Sequence, residues 1–259
     1  MASSINSGDE RTMRAKPFFI RLMGLGVFRP KRKVPGIDIA GRIEQTGRAV
    51  AQFSAGDEVY GDIYSAGSGA WAEYVCVPED ASIAAKPANM TFEQAAAVPV
   101  AGVTALQALR DYGGIREGQK VLINGASGGV GTFAVTLAKS FGAEVTGVCS
   151  TRNADLVSSI GADYVVDYKK QDLTQTGRRY DLIIDVAATV PPKAYAQMLS
   201  PGGRGVMVGF SSLAHMLSAK REGKKEKTDG IRVVAMGMAQ TNKRDLLDLK
   251  ELMEAGRIT

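Results

Sequence analysis

From residue 119 onward, short apolar runs alternate with longer stretches in which apolar residues return every three or four positions. The runs 120–124, 144–149, 164–167, 181–185, 205–208 and 231–235 predict strands, several of them near-continuously apolar. Between them the spacing predicts helices over 130–141, 153–160 and 191–199. In the first, Val130, Phe133, Ala134, Leu137 and Ala138 share one face. A last helix is expected over 243–255, capped by Thr241 or Asn242, with Leu246, Leu249 and Met253 on its buried side. Strand–helix alternation with apolar strands predicts an α/β fold, a doubly wound parallel sheet covered on both faces.

The first 90 residues read differently. Short β-type runs at 37–43, 58–60 and 72–77 are divided by turn signals at Pro35-Gly36, Ala55-Gly56-Asp57 and Gly67-Ser68-Gly69. A short helix and loop are expected over 11–28. Thr91 reads as an N-cap with Glu93 and Gln94 in the first turn, opening a helix over 92–111 that Pro99 interrupts. The expected organisation is a small β-rich unit over 1–90, a larger α/β unit over 91–240 and a final helix in 241–259.

Composition narrows the class. Apolar residues make up 45% and charged residues 23%, as in ordinary soluble globular proteins. No apolar run approaches the roughly 18 residues a membrane span needs, and residues 1–9 do not have the form of a secretory signal. Two cysteines far apart, Cys76 and Cys149, suit reduced thiols in a cytoplasmic protein. The net charge of +5 suits an anionic cofactor as well as solubility. The basic run Arg29-Pro30-Lys31-Arg32-Lys33 resembles a phosphate-binding or nuclear-import patch, yet a solvated loop explains it better. The stretch 220–227 mixes both signs and reads as an exposed loop or helix end. Neither supports a nucleic-acid partner or a membrane partner.

One stretch carries chemistry. After the run 121–123, four glycines fall within seven residues, at Gly125, Gly128, Gly129 and Gly131, and a helical pattern follows at once. Strand, glycine turn and helix start together can hold a pyrophosphate, because the backbone approaches the anion and the first helical N–H groups point at it. The loop residues Gly125, Ala126, Ser127, Gly128, Gly129, Val130 and Gly131 are therefore candidate dinucleotide ligands. No Gly-Lys-Ser/Thr follows, so an ATPase-type loop is disfavoured. In such a sheet the second strand ends beside the adenosine ribose, about 20 residues on. That exit reads Cys149-Ser150-Thr151-Arg152-Asn153, with no acid at its tip. Ser150, Thr151 and Arg152 suit a 2′-phosphate, so NADP(H) is favoured over NAD. Arg152 facing solvent, or Asp155 serving as the ribose acid, stays open.

As a set, Asn124-Gly-Ala-Ser-Gly-Gly-Val-Gly131, Ala138-Lys139, Gly142-Ala143, Gly161-Ala162-Asp163 and Gly56-Asp57-Glu58-Val59 resemble the medium-chain dehydrogenase/reductase superfamily, most of all its zinc-independent quinone oxidoreductase branch. The resemblance runs over nearly the whole chain. It implies a GroES-like β domain, a Rossmann domain and a nicotinamide bound in the cleft between them. By similarity, Asn6 is a candidate catalytic donor to substrate or carboxamide, with a simple turn residue as the alternative. Thr104 matches a threonine near the nicotinamide. Tyr168 matches a tyrosine near the adenosine phosphate, or is a surface tyrosine. Gly209, Phe210 and Ser211 follow a strand end at the same cleft edge.

Zinc-dependent relatives carry Cys where this chain has Asn6, and a His-Glu pair where it has Ile37-Asp38. A catalytic zinc needs three protein ligands, and the only histidine, His215, reads as a late loop residue; no metal site is expected. Without zinc, hydride transfer to a quinone, enone or aldehyde needs the least polar assistance. The expected activity is an NADPH-dependent reduction of such a small molecule. The family pattern extends beyond both ends of this chain, so a truncated, catalytically weak NADP(H)-binding protein is the competing expectation. A homodimer stays open.

Overall fold

The structure, a computed structural model, describes residues 1–14, 33–210, 212–223 and 229–258. Its contacts divide it into two units: Met1–Val103 with Gln240–Ala255, and Thr104–Ala239 with Gly256–Thr259.

The first unit begins with β1 (Ala2–Ser3), α1 (Ser7–Arg14), β2 (Asp38–Arg42), β3 (Glu58–Asp62) and β4 (Ser82–Ala85). The strands form one antiparallel sheet in the order β1-β2-β3-β4. α2 (Phe92–Ala96) follows, opened by Thr91, the expected N-cap, which forms a capping box with Gln94. The chain breaks before Pro99 and restarts as α3 (Pro99–Gln107). Pro99 can open a helix but cannot continue one.

Three expectations fail in this unit. Residues 72–77 form no strand. β2 lies between β1 and β3, and β3 between β2 and β4, so both central strands already have their ladders filled. Tyr74 is left 72% exposed. β4 was not expected, because Ser-Ile-Ala-Ala carries little β signal; its register on β3 makes it a strand. A helix begins at Ser7, ahead of the expected 11, while residues 15–28 of that expectation lie outside the described residues. So do Arg29–Arg32 of the basic run.

The second unit continues from α3 through a π-helical turn (Ala108–Gly113) that ends on left-handed Gly114. Then come β5 (Lys120–Asn124), α4 (Gly129–Ser140), β6 (Glu144–Cys149), α5 (Ala154–Ser159), β7 (Tyr164–Asp167), β8 (Tyr180–Asp185), α6 (Pro192–Met198), β9 (Leu199–Met207), α7 (Leu213–Gly223) and β10 (Arg232–Ala235). All six strands are parallel, in the order β10-β9-β8-β5-β6-β7. The chain runs outward from β5 to β7, then returns to β8 on the other side of β5. The strand order therefore reverses between β5 and β8, the place where open α/β sheets bind ligands. This is a Rossmann-like sheet, and with the GroES-like first unit it is the expected fold class. Leu122, Ile183, Leu199, Met207 and Val233 form the centre of its core, so the strands are apolar on both faces.

The expected strand 205–208 is the end of the longer β9. Pro201-Gly202-Gly203 is carried along the edge of β8 through a register shift between Tyr180 and Leu182. α7 was missed, although Ser212 supplies a cap signal: its hydroxyl accepts from the His215 backbone N–H at 3.1 Å. His215 accordingly belongs to a helix, not to a loop. The last helix, α8 (Lys243–Glu254), packs with the first unit and is capped by Asn242, whose Oδ1 accepts from the Asp245 N–H at 2.9 Å.

Candidate functional site

In the second unit β5 stops at Asn124 and the chain turns at Gly125, whose φ of +88° most residues avoid. The turn is pinned to β6 by Gly125 and Ala126, whose N–H groups both donate to the Val148 carbonyl, at 3.1 and 3.0 Å. Gly128 is the N-cap of α4 and offers no side chain to the helix start. The first N–H groups of a helix have no partner within it. Here they belong to a 12-residue helix and carry its positive end. Gly131 closes the loop tightly: a Cβ there would stand 2.0 Å from the Gly125 carbonyl oxygen. The loop thus lies at the C-terminal edge of the central strand with its backbone packed closely on the start of α4.

The same edge gathers most of the other expected residues of this unit. Ser150, Thr151 and Arg152 follow β6, and Thr151 and Arg152 are exposed. Tyr168 follows β7, 55% exposed, with its N–H on the Cys149 carbonyl at 3.1 Å and the Lys169 ammonium 5.4 Å from its ring centre. Gly209 follows β9 and donates its N–H to the Asp185 carbonyl at 3.1 Å, while Phe210 packs partly buried on the core. Ser211 lies outside the described residues. Thr104 is nearly buried on α3 and is not at a strand end.

Two residues that sequence reasoning passed over tie this edge together. Asn153 Nδ2 donates to Ser127 Oγ at 2.9 Å and links the glycine loop to the β6 exit. Thr151 Oγ1 donates to Asp167 Oδ2 at 2.5 Å, and that hydrogen bond leads the effects holding the Asp167 carboxyl below its usual range. An acid does stand beside the β6 exit, therefore, but it comes from the next strand. The pairing Cys149↔Asp167 puts it there, and no local motif announces it.

Behind the loop lies a buried polar knot. Asn124 Nδ2 donates to Asp185 Oδ1 at 2.9 Å, to Tyr195 Oη at 2.8 Å and to Thr189 Oγ1 at 3.1 Å. The Ala188 N–H also reaches Asp185 Oδ1, at 3.0 Å, and Ala188 is held at φ +54°. Burial pushes the Asp185 carboxyl above its usual range against these hydrogen bonds. The knot joins the ends of β5 and β8 across the point where the sheet order reverses.

The first unit has a polar cluster of its own around Asn6. Asn6 Nδ2 and Ser4 Oγ both donate to Asp38 Oδ2, each at 2.9 Å, and the Val100 N–H donates to Asp38 Oδ1 at 3.2 Å. Asp38 has no exposed surface, and burial pushes its carboxyl up to about 7. Asn6 also reaches Ser4 Oγ at 3.4 Å, and its backbone N–H donates to Asp9 Oδ2 at 2.8 Å. Asn6 thus sits in the turn that opens α1, and its side chain is committed to Asp38.

Residues 1–88 match the family model for the alcohol dehydrogenase GroES-like domain, and residues 129–253 match that for zinc-binding dehydrogenase. A quinone-oxidoreductase homolog from the chloroplast of Spinacia oleracea is 39% identical over 193 residues, which is 69% of this chain and 58% of that protein. The quinone oxidoreductase of Coxiella burnetii superimposes with a TM-score of 0.84 at 28% identity, over 99% of this chain and 78% of that one. The chain belongs to the medium-chain dehydrogenase/reductase superfamily, on its quinone-oxidoreductase-like branch. Also similar is a 2-methylene-furan-3-one reductase from Solanum lycopersicum, 38% identical over 164 residues, 60% of this chain and 42% of that protein. The chain spans about three-fifths or less of the length of these curated relatives.

Medium-chain dehydrogenase/reductase proteins bind nicotinamide cofactors, and the second unit fits one. A diphosphate at this helix start would meet helix N–H groups and no carboxylate of the loop itself. The described residues do not suit the zinc that the name of one matching family implies. Around Asp38 stand a hydroxyl, a carboxamide and a backbone N–H, all donating hydrogen bonds to the carboxylate. Among the described residues no three His, Cys, Asp or Glu side chains cluster to hold a metal.

Proposed function

We propose that the chain is an NADPH-dependent reductase that reduces a quinone or an α,β-unsaturated carbonyl without zinc. The observation that carries this is the glycine loop and α4 N-terminus, set where the parallel sheet reverses its order. The cofactor, when bound, supplies the hydride. The chain's own residues bind and orient. Loop N–H groups take the diphosphate. Ser150, Thr151 and Arg152 take the ribose phosphate, with Tyr168 and Lys169 beside them. Thr104, Gly209, Phe210 and Ser211 are proposed toward the nicotinamide end. Relatives named as a quinone-oxidoreductase homolog and a 2-methylene-furan-3-one reductase support the substrate class. The cytoplasm is the proposed compartment, and no helix among the described residues is long and apolar enough to cross a membrane.

Asp167 bears on the choice of cofactor. Its carboxylate at the β7 end would repel a 2′-phosphate and favour the free ribose of NAD, while Arg152, Lys169 and Lys170 act the other way. Titration of NADPH and NADH by fluorescence tests this directly. Gly131→Ala should weaken both cofactors by at least ~10-fold, since its Cβ displaces the loop. Arg152→Ala should lower the NADPH-to-NADH affinity ratio by about 10-fold, the worth of one charge-assisted hydrogen bond. An unchanged ratio removes NADP preference from this reading.

A second reading is favoured by the commitment of Asn6 to Asp38. With both amide hydrogens directed at Asp38 and Ser4, the cluster offers a substrate oxygen no free donor. A cofactor-binding protein of weak or no turnover would follow. Steady-state oxidation of NADPH with a small quinone separates the two.

A further inference from the structure

We propose that Asp38 is the positioning residue for Asn6, and that the proton on Asp38 decides which end of the Asn6 carboxamide a substrate meets. The functional half of this proposal rests on the reductase reading above; the structural half stands without it.

The geometry has two parts. First, Asp38 Oδ2 takes two hydrogen bonds within the same turn, from Asn6 Nδ2 and Ser4 Oγ, each at 2.9 Å. Asn6 is half-buried, and no described residue donates to its Oδ1. With Asp38 ionised, the carboxamide therefore points its N–H2 inward and leaves only an acceptor outward. Second, Asp38 is directly opposite Asp62 in the β2–β3 ladder, an acid facing an acid across a buried sheet. Asp9, on α1, takes the Asn6 backbone N–H at 2.8 Å. α3 contributes the Val100 N–H and carries no charged side chain, and Glu93 of α2 is exposed. Among the described residues, the titratable groups facing the cluster, Asp62 and Asp9, are thus both acids.

Such a carboxyl gains a proton readily. Burial and the facing Asp62 push it up, and the three hydrogen bonds offset part of that, to about 7. A protonated Asp38 is a donor in place of an acceptor. Its O–H can serve Asn6 Oδ1 once the amide turns over, and the Asn6 N–H2 then faces outward. An amide flip exchanges one acceptor for two donors at nearly the same shape. A carbonyl oxygen that gathers charge on reduction needs those donors, so the neutral acid is the working form.

The test uses the full chain and follows the side-chain 15N–1H2 resonances of Asn6 by NMR across about pH 5.5 to 8.5. In the wild type they should titrate with a single midpoint near 7. In Asp38→Asn the titration should vanish. In Ser4→Ala, which removes one donor from the carboxylate, the midpoint should rise. Asn6 resonances insensitive to pH, or a titration that persists in Asp38→Asn, overturn the proposal; should Asp38→Asn fail to fold, a Ser4→Ala midpoint unmoved from the wild type overturns it equally. Turnover of NADPH with a small quinone is the separate arm. The kcat of the wild type should fall about 10-fold as pH rises through the same midpoint and stay flat in Asp38→Asn, with KM for NADPH changed less than ~2-fold. A titrating Asn6 amide in a protein with no turnover at any pH overturns the reductase reading and leaves Asp38 as the positioning residue.

Discussion

Each unit of this protein buries an aspartate at one end of a strand and hands it an asparagine. In the second unit the pair is Asn124 and Asp185, at the ends of neighbouring parallel strands, and its amide nitrogen stands within hydrogen-bonding distance of Asp185, Tyr195 and Thr189. In the first it is Asn6 and Asp38, and the asparagine is half-buried. Burial raises both carboxyls. The chemistry is the same, but the freedom of the amide differs. Asn124 is nearly inaccessible and holds two strand ends together, whereas no described residue donates to Asn6 Oδ1. An identical pair is structural where the amide is enclosed and available for chemistry where it is not.

The contrast is open to measurement. Asn124→Ala should cost the most, about 3 kcal/mol by urea denaturation, because it strands a carboxylate and a tyrosine hydroxyl in the core. A loss under ~1 kcal/mol would mean that the knot is not structural.

Asp38→Asn should act through pH. Its carboxyl is raised from 3.8 to about 7, so the folded state holds a proton that the unfolded state has lost between those values. Its contribution to stability is complete below 3.8 and is lost as pH rises through 7. The variant should therefore match the wild type near pH 4 and exceed it near pH 8, by roughly 2 kcal/mol once the lost hydrogen bonds are counted. A difference independent of pH would place the ionisation elsewhere.

Asn6→Ala should cost least among the pair residues, under about 1 kcal/mol, because water reaches its place. Ala188→Gly should stabilise slightly, by ~1 kcal/mol, by relieving the left-handed alanine beside Asp185. Thermal melts of the two single variants suffice.

Legibility follows the same division. Strands β5, β6 and β7 are those the apolar runs predict, to the residue; β5 and β6, buried beyond their first residues, need apolar or small side chains on both faces. The glycine loop is equally plain, since only glycine tolerates the close approach at Gly131. β4 and the segment 72–77 go the other way: one weak run pairs, and one promising run does not. Which antiparallel edge is free depends on the other strands, not on the run itself. His215 reads as a loop residue because α7 is only weakly amphipathic, and Ser212 is the one local signal of the helix.

The residues near the second strand's exit make the point chemically. Ser150, Thr151 and Arg152 are adjacent in the chain, so their shared location could be foreseen. Asp167 reaches Thr151 only through strand pairing, 16 residues later, and it reverses part of the charge argument for the cofactor. Asn6 could be picked out by family likeness, yet its role as a partner of Asp38 could not.

Local order was therefore written in the residues themselves: the loop that receives a diphosphate, the helix behind it and the buried strands around it depend on backbone sterics and apolar periodicity, which act over a few positions. Ionisation and the orientation of polar side chains were left to the folded chain. Asp38 is an ordinary carboxylate until antiparallel pairing sets it against Asp62 and folding brings Ser4, Asn6 and the Val100 N–H to it. Desolvation and hydrogen bonding are set by neighbours in space, and those neighbours lie up to 62 residues away along the chain.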